Sequence, residues 1–467
     1  MALNDFIISS LNLKTDDIQS INSHKSDDTL YIQITLRDSH PSCIFCGSDT
    51  KIHGYLTHTY KHLPICGTPS AIEWKRIRYK CKCCGSTFSQ PSPFGLGRYH
   101  VTYALLANLA KDLKNHHKTF QDIAADNGIS NTLVQLYFDS LLNIPRLTLP
   151  ENLGIDEIHS SLAKYNSKYL CVMVDNQRRV LQEILPSRSK HHLSNYFEAI
   201  PLEERKRVKF VTIDMWLPYK QVCERFLPNC EIAVDPFHVI EHLSNDFSRL
   251  RIDIMNQCVY GSAAYYLLKK WHWLLEQDVF LDNKPEYNSF FKKKMNRREL
   301  YDLLLGLNSN LKLAYQLKEK YRRFNREASF ENAPAWFDSV LQEFKDAHLP
   351  CYDEFITLLT DWKQEILNSF RRPVDDRKQS NSLSENFNGK LRELIDISHG
   401  YYNFDRFRAR ALYCFNDFVF YSLFSKLDPK KKKGRKRGPY KKDSPVLLTD
   451  TSFKDILSNA EDDFSED

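Results

Sequence analysis

The stretch Thr212–Ile240, TIDMWLPYKQVCERFLPNCEIAVDPFHVI, decides the fold class. It begins inside the apolar run Val208–Ile213, which reads as a strand, and Asp214 follows at once. An amphipathic stretch at about 215–227 reads as a helix, and Glu231–Val234 is a second short strand, closed by Asp235. A strand, a helical crossover and another strand belong in an α/β sheet. Both strands end in an acid, and strand ends at one edge of such a sheet are where ligands gather.

Upstream lie three more strand-like runs, Leu153–Ile158, Tyr169–Val174 and Val180–Leu185, and then an amphipathic stretch at about 188–200. The order βββαβαβ predicts a mixed sheet. In that sheet the first and fourth strands can be neighbours, so Asp156, mid-way along the first run in Gly154-Ile-Asp-Glu157, can meet Asp214. A carboxylate buried there is costly unless it is paired or binds a cation. Beyond Phe237 the pattern is almost entirely helical to about 370, which predicts a large all-α insertion at about 240–370, and a further helical segment runs from about 380 to 425. Asn381-Ser-Leu-Ser-Glu-Asn-Phe-Asn-Gly-Lys-Leu-Arg392 opens that segment, with Glu385, Asn388 and Arg392 near one helical face. Three such acids would hold two Mg²⁺ ions for in-line phosphoryl transfer. Solvated strand-end acids are also common, so spacing alone leaves both readings open.

The 12 cysteines of the 467 residues are unevenly spread, six of them between Cys43 and Cys84. Cys43-Ile-Phe-Cys46-Gly47 and Cys81-Lys-Cys-Cys84-Gly85 are two CxxCG knuckles. Each turn brings two thiolates within about 2.3 Å of one ion, and the glycine lets backbone NH groups approach the sulfurs. Together they predict a closed, all-cysteine structural zinc site with no open position for catalysis. Strand-like runs between the knuckles suit a zinc ribbon, while Cys66 and Cys83 are spare thiols that could compete as ligands.

Thr119–Phe138, TFQDIAADNGISNTLVQLYF, has helix-turn-helix grammar. Thr119 and Ser130 can cap helices, Asn127-Gly128 supplies the turn, and the second helix would present Asn131, Thr132 and Gln135 to a major groove. Any short helical hairpin would share this pattern.

The net charge of +6 hides a basic run, Lys430–Lys442 (KKKKGRKRGPYKK), followed by an acidic end. The remainder is mildly basic, which makes nucleic acid a plausible partner without establishing it. No apolar run is long enough to span a bilayer, and no signal-peptide pattern opens the chain, so an unexported protein is expected.

These pieces together resemble the DDE transposases of bacterial insertion sequences, of the ISL-three type. The resemblance rests on CIFCG with RYKCKCCG, on GIDE, on Thr212–Ile240, and on Ser380–Arg410, SNSLSENFNGKLRELIDISHGYYNFDRFRAR. It implies an N-terminal segment with a zinc ribbon over 1–95 and a helix-turn-helix over 98–147. An RNase H-like catalytic domain over 150–425 would be split by the helical insertion, with a disordered tail over 428–467. It further implies Asp156, Asp214 and Glu385 as catalytic acids holding Mg²⁺ or Mn²⁺, with Asp235 and its companion His238 as the alternative second acid. Cys43, Cys46, Cys81 and Cys84 would bind structural Zn²⁺. Asn131, Thr132, Gln135, Asn388, Lys390 and Arg392 are expected on DNA. The implied activity is cleavage at terminal inverted repeats and strand transfer into double-stranded target DNA, by a homodimer or larger assembly in the bacterial nucleoid. A catalytically inactive DNA-binding regulator and a nuclease without joining activity are the competing functions.

Overall fold

The computed structural model describes Ile8, Leu11 and residues 13–95, 100–144, 146–373, 378–417 and 420–421. The expected tail, 428–467, lies outside the described residues. The chain divides into two compact units, one of Met1–Pro145 with Leu394–Tyr401 and Asp405–Asp467, the other of Arg146–Glu393 with Tyr402–Phe404.

The first unit opens with strands β1 (Ile18–Ser26), β2 (Thr29–Leu36), β3 (Thr50–Ile65), β4 (Thr68–Cys81) and β5 (Thr87–Ser89), in the sheet order β1-β2-β4-β3 with β5 on β4. The β3–β4 hairpin turns at Cys66-Gly67, where φ is +49° and +76°. Two consecutive positive φ angles make a two-residue turn whose twist suits the flanking strands. The hairpin explains the long spacing between the cysteine knuckles, because its register sets Thr50 opposite Cys81 and so brings them together at its open end. Ile32, Ile34, Tyr60, Ile72 and Trp74 form the apolar core of this sheet.

Helices α1 (Tyr103–Lys114), α2 (Phe120–Asp126) and α3 (Asn131–Leu141) follow. Thr102, Thr119 and Ser130 cap them, and Thr119 with Asp122 forms a full capping box. Leu105, Leu109, Ile123, Val134, Tyr137 and Phe138 bury a common core. The helix Phe404–Phe415, read above with the sheet domain, shares this core instead through Tyr413, whose hydroxyl donates to the Ala110 carbonyl at 2.9 Å. The fully buried Arg410 donates to the carbonyls of Asn115 and Lys118 at 2.9 and 3.1 Å. Its periodicity shows an apolar face but not which core that face meets.

His62 on β3 ties the ribbon sheet to α1, with Nδ1 2.9 Å from the Oγ1 of Thr102. Burial holds the imidazole down to about 4, against an ordinary value near 6.5. A depressed folded-state value means that the unfolded chain takes the proton first as pH falls. The stability from neutral His62 is therefore complete above about pH 6.5 and is lost progressively down to about pH 4, by roughly 3 kcal/mol. Melting of the first unit should show this acid decline, and the decline should flatten in His62→Gln; a wild-type profile unchanged between pH 7 and 4.5 would refute it.

The second unit contains β6 (Asn152–His159), β7 (Tyr169–Asp175), β8 (Val180–Leu185), α4 (Lys190–Glu198), β9 (Phe210–Ile213), α5 (Leu217–Phe226) and β10 (Glu231–Val234). The sheet order is β10-β9-β6-β7-β8. β6, β7 and β8 run antiparallel, while β9 is parallel to both β6 and β10. Leu193 and Phe197 of α4 and Tyr219 and Val222 of α5 bury one sheet face with Ile155, Met173 and Ile213.

From α6 (Pro236–Gln257) the chain is mostly helical, through α7 (Ala263–Lys270), α8 (Arg297–Gly306), α9 (Ser309–Glu327), α10 (Ala333–Asp346), α11 (Asp353–Asp361) and α12 (Lys363–Asn368), around one core rich in Leu, Phe and Tyr. The expectation of an all-α insertion needs one correction, because Glu286–Asn288 pairs antiparallel with Lys293–Met295. Strands of three residues are too short to show a period of two. This hairpin is held by a side chain, the Oδ1 of Asn288 accepting from the backbone NH groups of Phe290 and Phe291 at 3.0 and 3.2 Å. Helix α12 returns to the sheet, where Asn368 donates to the Ile232 carbonyl at 2.8 Å, and α13 (Ser382–Ile397) then begins.

Candidate active site and cysteine centre

The parallel register of β9 on β6 sets Thr212 beside Gly154. Two residues further along the chain from each stand Asp156, on β6, and Asp214, just past the end of β9, which places them at the same level of the sheet. Asp156, Glu157 and Asp214 each offer a carboxylate oxygen, and the three oxygens lie within 4.8 Å of one another. Asp156 is buried, and burial first and Asp214 second push its carboxyl up to about 7. Burial also raises Glu157. Three carboxylates this close repel one another unless protons or a cation intervene.

Each acid has an orienting partner. Asn388 on α13 donates to Asp156 Oδ2 at 2.9 Å and to the Glu157 carbonyl at 3.2 Å. Asn381, fully buried just before α13, donates to Asp214 Oδ1 at 3.1 Å and to the Ile155 carbonyl at 3.2 Å. His238 Nε2 lies 2.8 Å from Asp214 Oδ1, and this bond raises the imidazole to about 9, so His238 is a cation at neutral pH. Glu157 is held by the guanidinium of Arg188 and by the Tyr219 hydroxyl at 3.0 Å.

The sequence-derived residues therefore do not all meet. Asp156 and Asp214 come together. Asp235 stands outside that group: it is buried, caps α6 by accepting from the Phe237 NH at 3.2 Å, and is raised chiefly by burial. Glu385 is exposed on the first turn of α13, outside the 4.8 Å group but close enough for its charge to act on Asp235. Asn388, expected at a DNA surface, is buried and engaged with Asp156. Lys390 and Arg392 are exposed. Asn131 and Thr132 are exposed at the start of α3, whereas Gln135 donates to Asn131 and accepts from Arg406 at 2.9 Å. Glu157, not among the sequence-derived residues, joins the group, and its adjacency to Asp156 was the available signal.

The residues fit a divalent cation. The donors are carboxylate oxygens, which suit hard ions such as Mg²⁺ or Mn²⁺. The side-chain oxygens of Asn381, Ser384 and Asn388 are buried beside the acids without a protein partner, as expected where a solvated ion completes the network.

Close packing of α13 on β6 depends on Gly154. A Cβ there would stand 2.7 Å from Val174 Cγ2 and 3.0 Å from Ser384 Oγ. Gly154→Ala should therefore push α13 from the sheet, costing about 1–3 kcal/mol as overpacking does, and should lower activity further by moving Asn388 off Asp156. Thermal unfolding checks the first effect; unaltered melting would show that the neighbours yield freely.

At the open end of the β3–β4 hairpin, the Sγ of Cys43 lies 3.7 Å from that of Cys84, and the Sγ of Cys46 lies 3.5 Å from that of Cys81. Four thiolates about 2.3 Å from one ion stand roughly 3.8 Å apart, so the set fits tetrahedral zinc. Gly47 and Gly85 have φ of +70° and +67°, as the knuckles require. The NH groups of Cys83 and Cys84 each approach Cys81 Sγ at 3.3 Å. The Ser48 hydroxyl and NH lower the Cys46 thiol to about 6, which favours the thiolate that binds metal. Cys66 stands at the far turn of the hairpin.

A family model described as a transposase matches residues 153–411, and one described as the zinc-finger of transposase IS204/IS1001/IS1096/IS1165 matches residues 39–84. The transposase for insertion sequence element IS1001 of Bordetella parapertussis is 24% identical over 371 residues, which cover 77% of this chain and 85% of that relative.

Proposed function

This chain belongs to the ISL3-type DDE transposases, and from that premise we propose that it binds the terminal inverted repeats of an insertion sequence, cuts there, and joins the freed ends to target DNA. The observation that carries the reading is the meeting of Asp156 and Asp214, from strands far apart in the chain, in one partly buried carboxylate group. The order β10-β9-β6-β7-β8, with three antiparallel strands followed by two parallel ones, supports an RNase H-like core. The cysteine centre, the exposed Asn131 and Thr132 of α3, and Lys390 and Arg392 would contact double-stranded DNA, in a homodimer or larger assembly that handles two ends together.

Asp156, Asp214 and Glu385 would hold two divalent ions, whose charge would favour deprotonation of an attacking oxygen and stabilise a leaving one. The other residues keep those ligands in place. Asn388 fixes Asp156, Asn381 and cationic His238 fix Asp214, and Arg188 with Tyr219 holds Glu157 away from free rotation. Water attacks the phosphodiester first, releasing a 3′-hydroxyl, and that hydroxyl then attacks the target phosphodiester and displaces its bridging oxygen. Neither step requires a covalent enzyme intermediate. Among the described residues no helix is long and apolar enough to cross a membrane.

Incubation with end DNA, Mg²⁺ and a supercoiled target plasmid tests this. Joined products are expected. Nicks alone would favour the nuclease, and end binding without either product would favour the regulator.

A further inference from the structure

The outward stripe of α3 is organised by a residue from far along the chain. Arg406, Arg410 and Tyr413 stand at i, i+4 and i+7 on the helix Phe404–Phe415, so they share one face. Arg410 and Tyr413 fix that face against α1 and the turn after it, and Arg406 reaches α3. Its guanidinium grips Asp139 with two prongs, Nε to Oδ1 at 3.0 Å and Nη2 to Oδ2 at 2.5 Å, while Nη1 donates to Gln135 Oε1 at 2.9 Å. Gln135 Nε2 donates in turn to Asn131 Oδ1 at 3.1 Å. All of these residues belong to the first unit.

The relay has a direction. An arginine has donors only, so the amide atom of Gln135 that meets it is the oxygen. The nitrogen of Gln135 is thereby set toward Asn131, whose oxygen accepts it, and Asn131 is left to present its Nδ2 donor. The same guanidinium cancels the charge of Asp139, an exposed acid on the stripe that carries Asn131, Thr132 and Leu136. Uncovered, that carboxylate would repel a phosphate backbone. We propose that Arg406 is a positioning residue for base reading by α3: it neutralises Asp139 and, through Gln135, turns the Asn131 amide so that a donor faces the major groove. A base edge with an acceptor, such as guanine O6 or N7, matches that donor, and the half-exposed Leu136 suits a thymine methyl. Lysine cannot stand in for Arg406, because one ammonium does not span Asp139 and Gln135 as the planar fork does. The choice of DNA rests on the function proposed above; the direction of the relay does not.

The test uses the full zinc-loaded chain with two labelled duplexes, one copied from the terminal repeat beside this gene and one of the same composition in scrambled order. Fluorescence anisotropy gives both affinities. Arg406→Ala should weaken both and lower the ratio of end to scrambled affinity about tenfold, the effect of one well-placed base contact. Adding Asp139→Asn should restore affinity for the scrambled duplex, since the uncovered charge is gone, but not the ratio, since Gln135 and Asn131 stay unlocked. Arg406→Lys should keep the scrambled affinity and lose the ratio. Asn131→Asp keeps an oxygen for Gln135 and turns the outward donor into an acceptor, so the ratio should fall there too. A role in anchoring the helix alone would lower the melting temperature and both affinities together and leave the ratio unmoved. That result, or a wild-type ratio in Arg406→Lys, would overturn the proposal. If Arg406→Ala does not fold, Arg406→Lys decides alone. A wild-type ratio in both Asn131→Asp and Thr132→Ala would remove α3 from the end DNA, which counts against the function proposed above and takes this inference with it. A loss in those two beside a wild-type ratio in Arg406→Lys would sink the positioning role and leave that function standing.

Discussion

Asp156→Asn and Asp214→Asn should each lower strand cleavage by about 10³-fold or more, since stabilising charge at a metal-assisted transition state supplies several kcal/mol and each 1.36 kcal/mol is tenfold. Folding should survive. Asn at 156 still offers an oxygen to Asn388 and relieves the repulsion that raises this carboxyl, so the melting temperature of the metal-free variant should not fall. Asp235→Asn provides the contrast. Its side chain caps α6, and asparagine caps as well as aspartate, so activity and stability should change little. The third acid divides the same way. Glu385→Gln should match Asp156→Asn, whereas Glu157→Gln, which keeps an oxygen toward Tyr219, should retain most activity. The measurement is cleavage of a labelled end duplex at saturating Mg²⁺. An inactive Glu157→Gln beside an active Glu385→Gln would move the third acid to the strand, where the carboxylate group already includes it.

Stripping zinc should unfold the ribbon end of the first unit. Apparent binding free energies of about 10–16 kcal/mol at structural zinc sites exceed the stability of a small domain. Beyond the hairpin register, little apolar material holds the two knuckles, since Ile44 and Phe45 are more than half exposed. Cys43→Ser or Cys81→Ser should abolish binding to end DNA and make the first unit protease-sensitive, while the core of the second unit, with no thiol in the metal set, keeps its protection. Limited proteolysis with and without chelator reads this directly. A ribbon equally resistant in both states would mean that the long hairpin suffices without metal.

Much of the site was legible because its chemistry is local. The knuckles are declared by two cysteines and a glycine within five residues, and the strands by apolar runs that each end near an acid. The element order allowed Asp156 and Asp214 to be neighbours, and the sheet made them so. The companions of these acids could not be read in advance. Asn388 shares a helical stripe with Glu385 and Arg392, and the stripe says nothing about which member turns inward. Strand alternation sets neighbouring side chains on opposite faces, yet Glu157 belongs to the same carboxylate group as Asp156.

The amino-acid order alone determined most of the elements, though not the short hairpin of Glu286–Asn288 with Lys293–Met295, together with the cysteine centre and the mixed α/β character of the second unit, because turn chemistry, caps and hydrophobic period act over a few residues. Only the folded chain decided that Asn381 and Asn388 would orient acids more than 160 positions away, and that the helix Phe404–Phe415 would share a core with α1–α3. Those outcomes depend on which buried surfaces close against each other, and packing of that kind is settled by shape across the whole unit and leaves no mark at short range.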